Sequence, residues 1–440
     1  MTMAEAEPAA DRPVDAGTRR VEGARLARLG LIAAMVSRVL GRLVGIVLVV
    51  VLAREAAPAT VAVYGYLLGT ATLLLTLTDL GVASVAGREV AAGRMPADGA
   101  LAAALLPQLF SVLAAGAVTI GLVTLAGPAG TPASALWMAV PYVIVGGMNN
   151  LWADVLRGMG RVVLEGALQV GSAVALVVAG VVVVQLGGSA TDLLLVVVAK
   201  EVAVLVVAVA VVRPRRRPDV RGRTLISQGA WVGVASSAVV LLWREGALVV
   251  GAAGSLTVLA TYVVATRFFD AGITVAHTVG FGLGPGMSAL ADDPAAFRQA
   301  GRKYLGLVTA LGIGVAIVGA LVAGPLTTIP FGARWEVAVP AVRMVAVSAL
   351  PLLLIYLCFA ILTARRQVRW LSLSCIAGCV VGFAATIVLV RSSPAAVSGV
   401  IGTLVGGTVL LVLLLIGLRD LLLPVPAHGA GARRAVEAAS

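Results

Sequence analysis

The chain has 440 residues, 60% of them hydrophobic and only 12% charged, with a mean hydropathy of +1.05 and a net charge of +12. Soluble domains carry about 25% charged residues, so this chain cannot cover a water-facing surface. The basic excess alone would suit a nucleic acid, but its distribution along the chain excludes that partner as well.

Residues 1–24 are rich in Ala, Asp, Glu and Arg and lack an apolar period, which predicts a disordered cytoplasmic tail. The first apolar run is too long for a cleaved signal peptide and lacks a small-residue exit. Apolar runs then recur over 29–53, 61–86, 100–126, 133–156, 162–186, 191–212, 225–251, 256–284, 304–329, 338–363, 370–390 and 396–418. Crossing a hydrocarbon core takes roughly 20 apolar residues per helix, so these runs predict an all-α membrane protein with twelve spans. Cys358, Cys375 and Cys379 fall in late spans with no His or carboxylate near them in sequence, and read as small apolar residues rather than metal ligands. Trp335 and Trp370 sit near span ends, as aromatic belt residues do.

With the amino end inside, 24 of the 33 basic residues fall on the inner side. The outer loops hold only Arg54, Arg334 and Arg391. This asymmetry predicts that both ends are cytoplasmic, in a plasma (inner) membrane, with membrane lipids as partners. The longest basic connection, Arg213 to Arg223, divides the spans six and six. The expected organisation is a tail over 1–24, an N-lobe over 25–212, a basic linker over 213–224, a C-lobe over 225–420 and a tail over 421–440. Ala59–Gly65 and Leu256–Tyr262 open the second and eighth spans, each after a span carrying an arginine, Arg42 and Arg244. Six spans separate the copies, which predicts a parallel internal repeat.

Six cations remain inside the spans: Arg38, Arg42, Lys200, Arg244, Arg267 and Arg343. Each would cost about 2.5–3.5 kcal/mol against lipid at mid-bilayer, so they are expected to face the bundle interior, a wet cavity or an interface. Arg38 and Arg42 share a helix face with Ser37, Gly41 and Gly45, either as a cavity-facing pair or beside a packing stripe of small residues. Arg267 and Asp270 are three apart, with Thr274 and His277 continuing the stripe. They read as a structural ion pair or as a substrate or proton path, and His277 alone as a structural hydrogen-bonding residue. Arg244 and Glu245 are adjacent and point about 100° apart, so each needs a partner on another helix. Lys200 and Glu201 are expected to behave in the same way. Arg343 can snorkel to the outer interface or serve a cavity. Asp79, Asp154, Arg157 and Glu165 lie near inner span ends and read as caps and anchors. Guanidinium groups bind phosphate through a bidentate fork, so this surplus of cations suits an anionic substrate.

No phosphate-binding G-x-x-x-x-G-K-[ST] loop, H-E-x-x-H or G-x-S-x-G is present. The outer loops are too short for an enzymatic site. Neither a catalytic residue nor a cofactor is expected, and transport is the activity that remains.

Several segments resemble the oligosaccharide flippases of the polysaccharide-transporter type, relatives of multidrug extrusion transporters and lipid II flippases. They are Val63–Tyr66, Leu77–Val82 followed by Arg88–Val90, Leu156–Arg161, Ala260–Arg267, Gly284–Ser288 and Phe331–Arg343. The resemblance implies two six-helix lobes around a central cavity, and alternating access that moves an undecaprenyl-diphosphate-linked oligosaccharide to the outer leaflet. It also implies a polysaccharide polymerase and glycosyltransferases as partners. The residues themselves nominate Arg38, Arg42, Arg244, Arg267 and Arg343 for substrate binding. Asp270, His277, Lys200, Glu201 and Glu245 are nominated for ion coupling or ion pairing. A cation-coupled small-molecule antiporter and a non-transporting scaffold of a glycan-assembly complex are the competing readings.

Overall fold

A computed structural model describes residues 37, 40–41, 44–79, 81–214, 222–290 and 293–422. The tails, most of the basic linker, and Arg38 and Arg42 lie outside the described residues. The chain forms helices α1 (44–55), α2 (Pro58–Leu77), α3 (Val82–Ala91), α4 (Ala97–Ala126), α5 (Ala133–Gly158), α6 (Val162–Gln185) and α7 (Ala190–Val211). It continues as α8 (Gly222–Ala253), α9 (Leu256–Ala289), α10 (Pro294–Leu321), α11 (Ala323–Phe331), a 3-10 turn (Ala333–Ala338), α12 (Val339–Val347) and α13 (Ala349–Ala364). The last three are α14 (Val368–Leu389), α15 (Ala395–Gly417) and α16 (Arg419–Leu422).

Among the described residues, ten helical stretches are long and apolar enough to cross a membrane by length and composition. Two further predicted spans fall on α1, part of which lies outside the described residues, and on α5. The latter has 26 residues but carries Asn149, Asn150, Asp154 and Arg157 toward its end. In lipid, a helix satisfies its own backbone polar groups. Prolines accordingly mark starts, as Pro58 and Pro294 in first turns and Pro96, Pro132 and Pro394 at N-caps. Ser189 and Asp192 form a reciprocal capping box on α7.

Three predicted spans differ in form. The run 61–86 is broken into α2 and α3, because Gly81 adopts φ 76 and its backbone lies against that of Gly229 on α8. Only glycine takes that conformation readily, and only a missing Cβ permits that approach. Helix α10 starts ten residues before the apolar run, since Asp293 caps it by accepting from Ala295 and Ala296 N–H. Arg298, Arg302 and Lys303 are therefore helical rather than in a loop. The connection around 322–338 is α11 and a 3-10 turn, and it buries Trp335, which is 3% exposed. Trp335 is thus a packing residue and not part of a belt; its indole N–H has found an acceptor within the protein. Trp370 is exposed and donates to the Leu413 carbonyl at 3.0 Å.

The described helices fall into a first lobe, α1–α7, and a second, α8–α16, on either side of residues 215–221, with α2 and α3 together covering one predicted span. Helix α2 packs on α8 and α9 of the other lobe, and α3 and α4 pack on α8. Of the apolar stretch in α2, 67% is buried within the protein, as is 56% in α8 and in α9; the figure is 6% in α6. Helices α2, α8, α9 and the α12–α13 stretch, 61% buried, are thus the most enclosed, and α6 faces outward. The free thiols of Cys358, Cys375 and Cys379 are buried among the helices of the second lobe.

A second junction joins the loop ends predicted to be outside. Arg54, at the end of α1, donates to the carbonyls of Pro330, at 2.6 Å, and Ile329. In the other direction, Arg334 donates to the Ala53 and Ala56 carbonyls and Trp335 Nε1 to Ala53 O at 2.9 Å. Each lobe thus supplies donors to main-chain acceptors of the other.

The backbone contact at Gly81 and Gly229 makes a specific demand. Replacing Gly229 with Val forces the α2–α3 turn away from α8, with an expected loss of about 1–3 kcal/mol. This is read as a lower thermal unfolding midpoint in detergent. An unchanged midpoint would mean that the approach is not tight.

Candidate functional site

The cations foreseen inside the spans do not form one site. Arg244 on α8 and Arg267 on α9 converge on a single carboxylate. Arg244 Nη2 lies 2.6 Å from Asp270 Oδ1, and Arg267 Nη1 lies 3.3 Å from Asp270 Oδ2. The second pair is three residues apart on α9, one helical turn, which brings the two side chains to the same face. The first pair crosses between α8 and α9. Arg244 and Asp270 are 13% and 11% exposed, so the cluster is nearly enclosed but reachable. Tyr64 of α2 lies within electrostatic reach of Arg267, which places the cluster where the first lobe meets the second. Two guanidinium groups thus meet at one carboxylate, and each can also hydrogen-bond an anion through its planar fork.

Glu245 turns the other way, as expected from its neighbour. It is fully buried, and its Oε1 accepts from Thr386 of α14 at 2.9 Å and from Thr403 of α15 at 3.0 Å. Its Oε2 has no hydrogen-bond partner among the described residues. Tyr262 lies beside this group, its ring seated against the backbone of Gly246 and Gly399. The carboxyl therefore belongs to the interior of the second lobe, one residue away from the cation cluster but on another face of α8.

Lys200 and Glu201 correct the expectation drawn from their adjacency. They pair directly, with Lys200 Nζ 2.5 Å from Glu201 Oε1. The four-carbon lysine stem is flexible enough to swing across the angle that keeps shorter neighbours apart. Glu201 Oε2 also accepts from Asn149 Nδ2 of α5 at 2.7 Å. This pair ties α5 to α7 in the first lobe, away from Asp270. Arg343 is exposed on α12 and does not join the cluster. His277 meets the Tyr356 ring of α13 edge-on, with centroids 5.4 Å apart. Thr274 donates to the Asp270 carbonyl and Thr278 to that of Thr274, so these hydroxyls are satisfied within their own helix. At the span ends predicted to be inner, Asp79 accepts from Ala83 N–H at 3.0 Å, and Arg157 pairs with Asp154 at 2.6 Å.

Thr386, Thr403, Tyr64 and Tyr262 were not foreseen. The threonines carried a faint signal as lone hydroxyls in apolar runs, but nothing local pointed them at Glu245. Replacing Glu245 with Ala leaves the buried Thr386 hydroxyl without its acceptor, and a loss of about 1–3 kcal/mol is expected. Glu245→Gln keeps an acceptor oxygen and should lose less. Thermal unfolding in detergent reads both, and an Ala variant as stable as the parent would remove Glu245 from the packing of α14 and α15.

Residues 135–340 match the family described as "Polysaccharide biosynthesis protein". Among curated proteins, none matches the chain. Solved structures match nearly its whole length. A lipid II flippase MurJ in an inward closed conformation superposes with a TM-score of 0.69 at 12% identity, covering 89% of this chain and 87% of that one. An inward-facing multidrug resistance MATE family transporter of the MOP superfamily gives 0.65 at 16% identity, covering 86% and 94%. A MOP superfamily transporter from Pyrococcus furiosus, described as having a binding pocket of reverse polarity, gives 0.62 at 15% identity over 89% and 95%. The resemblance read from the scattered segments therefore holds: residues 135–340 match the polysaccharide biosynthesis family, and the chain as a whole is a multi-pass membrane protein with the fold of MATE transporters and the MurJ flippase.

Proposed function

We propose that the protein is a flippase that moves a polyprenyl-diphosphate-linked oligosaccharide from the inner to the outer leaflet of the plasma membrane by alternating access, with both chain ends cytoplasmic. The observation that carries this reading is the pair Arg244 and Arg267 sharing the single carboxylate of Asp270 at the lobe junction. A diphosphate competes with Asp270 for both guanidinium groups and replaces one shared anion by a doubly bridging one. The polyprenyl tail stays in lipid, and the sugars occupy the space between the lobes. Arg38 and Arg42 belong to the same proposal through their place in the first span, and Arg343 is assigned to the outer interface. The protein acts as a carrier and not as an enzyme. The polymerase and glycosyltransferases of polysaccharide assembly are the partners this function needs.

Rocking of the lobes requires the outer clasp to open. Its donors are charged or indole N–H groups, and its acceptors are main-chain carbonyls at the ends of α1 and α11. In the described arrangement the clasp holds the outer ends of the lobes together, which fits a state loaded from the inside. A cation-coupled antiporter is the competing reading, and the buried, half-partnered Glu245 is what favours it.

Replacing Arg244 and Arg267 together with Gln is expected to lower glycan export in a flippase-null strain by at least about tenfold, the effect of losing one charge-assisted contact. Protein levels should stay normal. Export at the parent level would sink the site assignment, whereas uptake or efflux of organic cations lost in Glu245→Gln would favour the antiporter. A second outcome concerns the clasp. Arg54→Gln with Arg334→Gln should raise the labelling rate of a cysteine placed on the outer half of α2, since two lobe-joining cations are gone. An unchanged rate would show that the clasp does not hold the outer ends closed.

A further inference from the structure

A cavity of 750 Å³ opens at the inner end of the second lobe, between the end of α9, the start of α10 and the end of α13. Ser288, Phe297, Thr363, Arg365 and Arg366 line it. It contains none of Arg244, Arg267 or Asp270. Three observations make it more than a surface recess.

The first is the backbone at Arg366. Helix α13 ends in a pair of hydrogen bonds, from Arg366 N–H to Thr363 O and from Gln367 N–H to Leu362 O. This termination puts the residue after the cap in a left-handed conformation and normally selects glycine. The same pair of bonds ends α3, α5 and α6, and there the left-handed residues are Gly93, Gly160 and Gly187, with φ of 68, 73 and 73°. At α13 it is Arg366, φ 59°, the only non-glycine residue with positive φ among the described residues. Helix α5 is the fourth span and α13 the tenth, so Gly160 and Arg366 occupy corresponding places in the two halves. The chain uses the favourable residue in one copy and an arginine in the other.

The second is how Arg365 is held. Its guanidinium lies over the buried Phe297 ring, 5.2 Å from the centroid, a cation–π contact that holds the group without using its N–H donors. The third is the missing counter-charge. Among the described residues, neither Arg365 nor Arg366 forms an ion pair, and the cavity lining includes no carboxylate. A strained cation and a clamped cation, neither paired with a carboxylate among the described residues and both lining one cavity, suit an anion supplied from outside the chain.

We propose that this cavity binds the phosphate group of a lipid at the inner leaflet, with Arg365 and Arg366 as the forked donors and Ser288 and Thr363 as hydroxyl donors. The proposal rests on the orientation given under the proposed function, which sets the end of α13 at the cytoplasmic surface. Two lipid classes carry the required chemistry there: the anionic phospholipids of the leaflet, and a polyprenyl phosphate waiting to enter the lobe junction. In either case the site is a rim station, separate from the cluster around Asp270.

The test is native mass spectrometry of the purified full chain, titrated with phosphatidylglycerol, with a polyprenyl monophosphate and with phosphatidylcholine as the zwitterionic baseline. Arg365→Gln with Arg366→Gln is expected to weaken phosphate-lipid adducts about thirtyfold, the fold-change for two surface cations. Arg298→Gln with Arg369→Gln removes the same charge outside the cavity and should weaken them far less. The lipid whose adduct is lost identifies the source: phosphatidylglycerol means bulk leaflet lipid, and polyprenyl phosphate means the carrier. Arg366→Gly separates binding from folding. Glycine relieves the left-handed backbone, so this variant should unfold at the same or a higher temperature and yet bind less. Equal losses in the two double variants, or full binding by Arg366→Gly and by the cavity double variant, would overturn the site. Arg244→Gln with Arg267→Gln is expected to keep the adducts, so a failure of the rim station and a failure of the export site can be told apart.

Discussion

A guanidinium group in a hydrocarbon layer has to find an anion, a carbonyl or water, and this requirement organises the whole molecule. Asp270 holds Arg244 and Arg267 at the junction of the lobes. Glu201 holds Lys200 between α5 and α7. Main-chain carbonyls hold Arg54 and Arg334 at the ends predicted to be outer. Each solution ties together elements distant in sequence, so the charges act as fasteners in a protein whose apolar surfaces gain little from meeting one another in lipid.

The fasteners differ in what they leave over. Lys200 and Glu201 are balanced one to one, and Asn149 completes them. The junction has two cations for one carboxylate. The first arrangement closes a packing problem, and the second is the one proposed as the binding site. Burial does not tell the two apart, since all of these side chains are mostly covered.

The all-helical membrane fold, and the resemblance that the family match over residues 135–340 later met, were legible in the sequence because both rest on signals carried by each segment alone: apolar length and short motifs in order. What was not legible depended on backbone angles or distant partners. The break at Gly81 follows from a left-handed residue and its approach to Gly229, and hydropathy averages across both. The early start of α10 follows from the cap at Asp293, which lies outside the apolar run. Trp335 looked like a belt residue because its neighbours end a span, yet its indole is buried by a loop that hydropathy cannot orient. That Arg244 and Glu245 need separate partners followed from the helical angle between them. That those partners are Asp270 on one side and Thr386 and Thr403 on the other is a matter of how α8 packs on α9, α14 and α15.

The outer clasp has a genetic consequence. Its donors are three particular side chains, but its acceptors are carbonyl oxygens that every amino acid possesses. Ala53, Ala56 and Ile329 can drift to other residues of similar size without weakening the bond they receive. Lesions in the arginines, by contrast, are not repaired by a reciprocal charge swap, because the acceptors of their hydrogen bonds are main-chain carbonyls. Second-site revertants of a clasp defect should therefore arise elsewhere, and under the proposed alternating access their positions would map the surfaces that slide between the lobes.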